Sequence, residues 1–156
     1  MARTPAPVLA RIINSPLTRD AERAELLLQG WPHAFASARN SVPRTVGAVL
    51  RFEGIVRRGE PDPSAGGAER ELLALEYQAY DPMAERELRR IALDIVERHA
   101  LSSLVALHSR GRVGVGEVSF LLIMESPHRA EALAAMTLFI DMLKQDVPIW
   151  KKPIWR

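Results

Sequence analysis

The stretch VSFLLIMESPHRAEALAAMTLFIDMLKQ, residues 118–145, carries two structural signals side by side. Val118 to Met124 is apolar on both faces, so it reads as a strand covered from both sides, near the centre of a sheet. Ser126-Pro127 then opens a helix running to about Gln145, because serine is a favoured N-cap and proline suits the first helical turn. This helix is apolar nearly all round, with Thr137, Asp141 and Lys144 as its polar stripe. It is therefore expected to be buried, partly against another subunit.

Upstream of the strand, Gly111, Gly114 and Gly116 break the chain, and Leu104 to His108 reads as a further strand. Asp81-Pro82 supplies an N-cap and a proline at the first helical position. Ala84, Leu88, Ile91, Ile95 and His99 follow at three- and four-residue spacing, so one face of that helix packs inward. Leu72 to Tyr77 has strand character. Between Arg58 and Arg70, the run Gly59-Glu60-Pro61-Asp62-Pro63-Ser64-Ala65-Gly66-Gly67 reads as a mobile loop. Val46 to Phe52 reads as a strand, with Gly54 marking a bend or bulge before Ile55-Val56-Arg57. Trp31 to Thr45 holds two prolines and no clear period, which suits a loop. Thr18 caps a helix that stops at Gly30, and Leu9 to Ile13 makes a short strand. The tail from Val147 to Arg156 cannot be helical throughout because of its prolines. This order of elements favours an α+β fold, a mixed or antiparallel sheet with packed helices, over a doubly wound one. One domain over 1–156 is expected, with residues 1–8 flexible and 58–70 a mobile loop.

A chain of 156 residues is long enough to bury a core without disulfides. Cysteine is absent, which excludes a thiolate metal site and a cysteine nucleophile and fits a reducing, cytoplasmic compartment. The formal charge is only +2 although the pI is near 9.4, so the basic residues matter for where they cluster rather than for their sum. No apolar run approaches the roughly 18 uncharged residues of a membrane span. Met1 to Pro7 has no apolar core of the kind a signal peptide needs.

Cationic side chains recur at element ends. His128 and Arg129 fall beside the unpaired N–H groups of a helix start, a ready anion site, although spacing alone favours a His128 that caps a strand–helix corner beside a solvated Arg129. Lys144 lies in the last turn of the same helix, where a cation suits the dipole. It is either half of a surface pair with Asp141 or, in a drier setting, an acid, base or nucleophile. Trp150 stands beside Lys151 and Lys152 in the tail, and Arg57-Arg58 ends a strand; both also read as solvated patches. There is no P-loop, HExxH, dinucleotide-binding glycine fingerprint or GxSxG.

In order, these pieces resemble the large, catalytic subunits of molybdopterin synthase. The match runs through Gly47-Ala48-Val49-Leu50-Arg51-Phe52-Glu53-Gly54-Ile55-Val56-Arg57 and Leu75-Glu76-Tyr77-Gln78-Ala79-Tyr80 with Met83-Ala84. It continues through Val115-Gly116-Glu117, Ser126-Pro127-His128-Arg129, Asp141-Met142-Leu143-Lys144 and Val147-Pro148-Ile149-Trp150-Lys151-Lys152. The resemblance implies an α/β-hammerhead type of fold, a homodimer, and no resident cofactor or metal. It implies a sulfurtransferase that converts cyclic pyranopterin monophosphate into molybdopterin, with sulfur delivered as a thiocarboxylate on the Gly-Gly tail of a ubiquitin-like small subunit. By position, Lys144 and Lys151 match the catalytic lysines, and Arg57, His128, Arg129 and Lys152 match the substrate-binding set. Arginines and a helix N-terminus suit a cyclic phosphate, and a lysine suits the proton transfers of ring opening and sulfur addition.

His128 and Lys144 are sixteen residues apart, roughly 24 Å along one helix. That span predicts a shared site, His128 and Arg129 of one subunit facing Arg57, Lys144 and Lys151 of its twofold mate. The chain departs from the family at His108-Ser109-Arg110-Gly111, where members often carry His-Arg-Ile-Gly, and at Pro153, where an acidic residue is common. A divergent, non-catalytic paralogue that binds the partner is the rival reading. A nucleic-acid module is the third, opposed by aromatics that are few and not interleaved with the basic residues.

Overall fold

The computed structural model describes residues 6–14, 16–28 and 45–156. Along the chain run strand β1 (Val8–Ile13), helix α1 (Arg19–Leu28), and strands β2 (Ala48–Ile55), β3 (Gly59–Asp62) and β4 (Ala68–Ala79). Helix α2 (Met83–Arg98), strands β5 (Ser103–Ser109), β6 (Gly111–Gly114) and β7 (Val118–Ser126), helix α3 (Arg129–Asp146) and strand β8 (Ile149–Trp155) follow. One sheet has the order β1-β5-β7-β2, with β1 parallel to β5 and the other pairs antiparallel. In the second sheet the long β4 pairs with β3, β6 and β8, all antiparallel. The expected α+β class with a mixed sheet is what the chain adopts.

Alternation along β7 explains its central place. Phe120, Leu122 and Met124 join Leu88, Ile91 and Ile95 of α2 and Phe139 of α3 in one core, while Leu121 and Ile123 point to the opposite core with Leu9, Leu17 and Val105. The strand lies inside its sheet, between β5 and β2, and is covered on both faces. The inward face of α2 is as the spacing predicts, with Ala84, Leu88, Ile91 and Ile95 fully buried, although His99 falls just beyond the helix as its C-cap. Thr18 does cap α1, its Oγ accepting the Ala21 N–H at 3.1 Å. Arg51 of β2 fastens α1 to the sheet through a two-pronged bond to Glu22 at 2.7 and 2.8 Å.

Several boundaries differ from expectation for identifiable reasons. Helix α3 begins at Arg129 with His128 as N-cap, because Ser126 still pairs with Ala48 at the end of β7. The Ser126 Oγ instead accepts the His128 N–H at 3.3 Å. Gly47 permits this corner: its N–H donates to the Ser126 carbonyl, and a Cβ there would run into the Pro127 carbonyl. Asp81 does not cap α2; its carboxylate pairs with Arg110, and Pro82 takes the cap position. Arg110 thus lies past the end of β5, and its Nε donates to Asn14 Oδ1 at 2.7 Å.

The loop expected over 58–70 is a β-hairpin. Gly59 to Asp62 pairs with Glu71 to Ala68, and Pro63–Ala65 forms a 3-10 turn between them. Asp62 ties the turn, accepting from the Ser64 N–H at 2.9 Å and its Oγ at 2.6 Å, while Gly66 and Gly67 take left-handed φ of 66° and 85°. The bulge expected at Gly54 is present as a register shift between Gly54 and Ile55. The glycine-broken stretch contains β6, and the proline-bearing tail forms β8, where Pro153 is tolerated because, among the described residues, that strand pairs with β4 alone. The expected loop at Trp31 to Thr45 lies almost entirely outside the described residues, as does most of 1–8, although Val8 already pairs with Leu104 in β1.

Candidate functional site

A cavity of about 500 Å³ opens where the two sheets meet the C-terminal half of α3. Its wall is aromatic, with Phe52 from β2, Tyr77 from β4, Phe120 from β7 and Trp150 from β8. Ile140 and Leu143 of α3 and Ile149 of β8 complete the apolar lining. Two cations reach it, Lys144 from the last turn of α3 and Lys151 from β8. Only Val147 and Pro148 separate these elements, and the Val147 N–H closes α3 on the Leu143 carbonyl. That short link is what brings two residues of adjacent elements to one cavity. Lys152, the next residue of β8, is not among the residues lining the cavity.

His108 is buried in the cavity wall. Its ring meets Tyr77 edge-on at 5.2 Å and lies 5.6 Å from Phe120. Nδ1 is 2.8 Å from the Ser109 carbonyl, so the proton is assigned there and Nε2 keeps its lone pair. Burial pushes the His108 pKa below its ordinary 6.5, against the opposing effect of the Ser109 carbonyl. The unfolded chain therefore binds a proton that the folded one refuses. Stability should be full above about pH 6.5 and decline as pH falls towards the lower folded value. A series of Tm measurements between pH 7.5 and 5 should show that decline, and His108→Gln should flatten it. An unchanged slope in the variant would place the proton uptake elsewhere.

Glu60 stands at the edge of this site. Its Oε2 accepts from Lys151 Nζ at 2.8 Å and its Oε1 from Arg57 Nη2 at 3.1 Å. Burial raises the Glu60 pKa, but the bonds from Lys151 and Arg57 outweigh it and hold the carboxyl below its usual range. The expected site residues thus divide into three groups. Lys144 and Lys151 share the cavity, and Arg57 joins them through Glu60. His128 and Arg129 are exposed at the far end of α3, and Lys152 is exposed on β8 and does not line the cavity. The Asp141–Lys144 pair that spacing allows is not among the ion pairs of the described residues.

Sequence reasoning did not single out His108, Tyr77, Phe120 or Glu60 as site residues. A histidine ending an apolar strand was the available signal for the first. Glu60 has one partner close in sequence, Arg57 three residues before it, but its contact with Lys151 spans 91 positions. Among the described residues, no group of acidic and histidine side chains is arranged to hold a metal ion, and no helix is long and apolar enough to cross a membrane.

Against known proteins, residues 31–146 match the family model described as MoaE protein. The chain is 42% identical over 114 residues to the molybdopterin synthase catalytic subunit of Nostoc sp., covering 70% of this chain and 63% of that protein. It is 43% identical over 109 residues to the Homo sapiens protein of the same name, covering 70% of this chain and 54% of that one. The match therefore spans between about half and two thirds of the length of these curated relatives. The solved structure of molybdopterin synthase from Staphylococcus aureus superimposes with a TM-score of 0.70 at 29% identity, covering 94% of this chain and 91% of that one.

Proposed function

The chain belongs to the MoaE protein family, and on that footing we propose that it is the catalytic subunit of a molybdopterin synthase. It transfers sulfur from a thiocarboxylated, ubiquitin-like small subunit to cyclic pyranopterin monophosphate, forming the dithiolene of molybdopterin. The observation that carries this reading is the aromatic cavity lined by both Lys144 and Lys151. Its volume, about 500 Å³, falls within the range of small-molecule sites. Flat aromatic side chains suit a pterin ring, and the two ammonium groups suit its phosphate and the proton transfers of ring opening and sulfur addition. The relatives' name, catalytic subunit, supports a companion chain.

The site is completed by a second copy. Helix α3 has apolar side chains nearly all round, yet one protomer buries only Ala132, Ala135, Phe139 and Leu143 among them, and Leu133 stays 55% exposed. A twofold mate packed along α3 would cover the remainder and bring its own His128 and Arg129 towards Lys144, Lys151 and Arg57. Lys152 then serves as a peripheral cation for the substrate's phosphate. The absence of cysteine fits a cytoplasmic setting.

Reconstitution tests the proposal. The chain, the thiocarboxylated small subunit and cyclic pyranopterin monophosphate together should yield molybdopterin, and omission of any one should remove the yield. No product above background with all three present would leave a partner-binding paralogue as the reading to pursue.

A further inference from the structure

We propose that Glu60 is an internal anion that occupies the Arg57–Lys151 cation pair until the anionic group of the substrate displaces it. The inference rests on the functional reading above, which assigns Arg57 and Lys151 to an anionic substrate. Glu60 gives one oxygen to each cation, at 2.8 Å to Lys151 and 3.1 Å to Arg57. Its side chain is only 15% exposed, against 51% for Lys151 and 74% for Arg57. The carboxylate is thus the inserted group, and the cations form its partly open rim.

The hairpin holds Glu60 there. Strand β3 is registered on β4 from Gly59↔Glu71 to Asp62↔Ala68, and Asp62 locks the turn through Ser64 and through Arg70 at 3.2 Å. The Lys151 contact joins β3 to β8 and is set by the fold, while Arg57 reaches Glu60 from three residues before it. A phosphate oxygen uses the same N–H donors as a carboxylate oxygen. Two anions crowded on one cation pair repel each other, so occupation by the substrate and by Glu60 are alternatives. The exchange makes the site selective: a ligand binds well only if it gains more from Arg57 and Lys151 than Glu60 gave up.

Calorimetric titration of the full chain with cyclic pyranopterin monophosphate separates the possibilities. Glu60→Gln keeps the side chain's size and removes its charge, so the substrate should bind about fivefold to tenfold more tightly than to the parent. A second measurement needs no variant. The Glu60 carboxyl, followed by carbon NMR in the parent protein, should titrate at a higher pH when substrate is bound, because it has lost its cations and gained an anionic neighbour. Equal or weaker binding by Glu60→Gln, or a Glu60 titration that substrate leaves unmoved, would overturn the proposal while the functional reading stands. If the parent binds no substrate, the functional reading falls and this inference with it.

Discussion

Lys144→Ala should reduce molybdopterin formation by about two to four orders of magnitude, the range set by loss of a positioned proton-transfer group. Fold and partner binding should survive. Lys144 is exposed in the last turn of α3, while its neighbour Leu143 does the packing. It forms none of the ion pairs of the described residues, so its removal strands no buried charge. Alanine is also a stronger helix former than lysine, which offsets the small loss of a cation at a helix C-terminus. Product yield, Tm and capture of the small subunit would be measured together. Near-normal yield would remove Lys144 as the main catalytic lysine; lost yield with a collapsed Tm would show a structural role instead.

The second large effect comes from mixing two inactive proteins. If each site takes His128 from one subunit and Lys144 from the other, His128→Ala and Lys144→Ala should each be inactive in both sites of their homodimers. Unfolded together, refolded and allowed to re-pair at random, half the dimers carry one of each. In such a mixed dimer both substitutions fall in the same site and the other is intact, so activity should return to about a quarter of the parent value. A site contained in one protomer predicts no recovery, since each subunit would then carry its own defect. The geometry favours recovery: His128 is the N-cap of α3 and Lys144 lies in its last turn, on a helix that spans Arg129–Asp146.

Regular features of the fold were legible because they depend on local periodicity. Ala84, Leu88, Ile91 and Ile95 declared the buried face of α2, and the two-sided apolar run of β7 declared a central strand. The β3–β4 hairpin was hidden because Pro61, Pro63, Gly66 and Gly67 have the composition of a loop. An edge strand can accept proline where its N–H is not needed for pairing, so composition misled where topology decided. In the site, Lys144 and Lys151 were found through ordered motifs. Their shared cavity followed from a two-residue link that the tail's prolines made readable only as an end of helix. Glu60 and Arg57 meeting Lys151 depends on three strands closing on one another, for which the chain carries no local mark.

Helix α3 also limits how this chain can diverge. It carries a cap residue at one end and a cavity lysine at the other, so it acts as a ruler between two places that must both stay in register. One inserted residue would turn everything beyond it by about 100° and advance it about 1.5 Å, swinging Lys144 off the cavity wall relative to His128. Insertions of that kind should be tolerated in the hairpin turn around Ser64, whose 3-10 residues are not buried. Over long lineages the number of residues in α3 should therefore drift far less than their identities, while the β3–β4 turn varies in length.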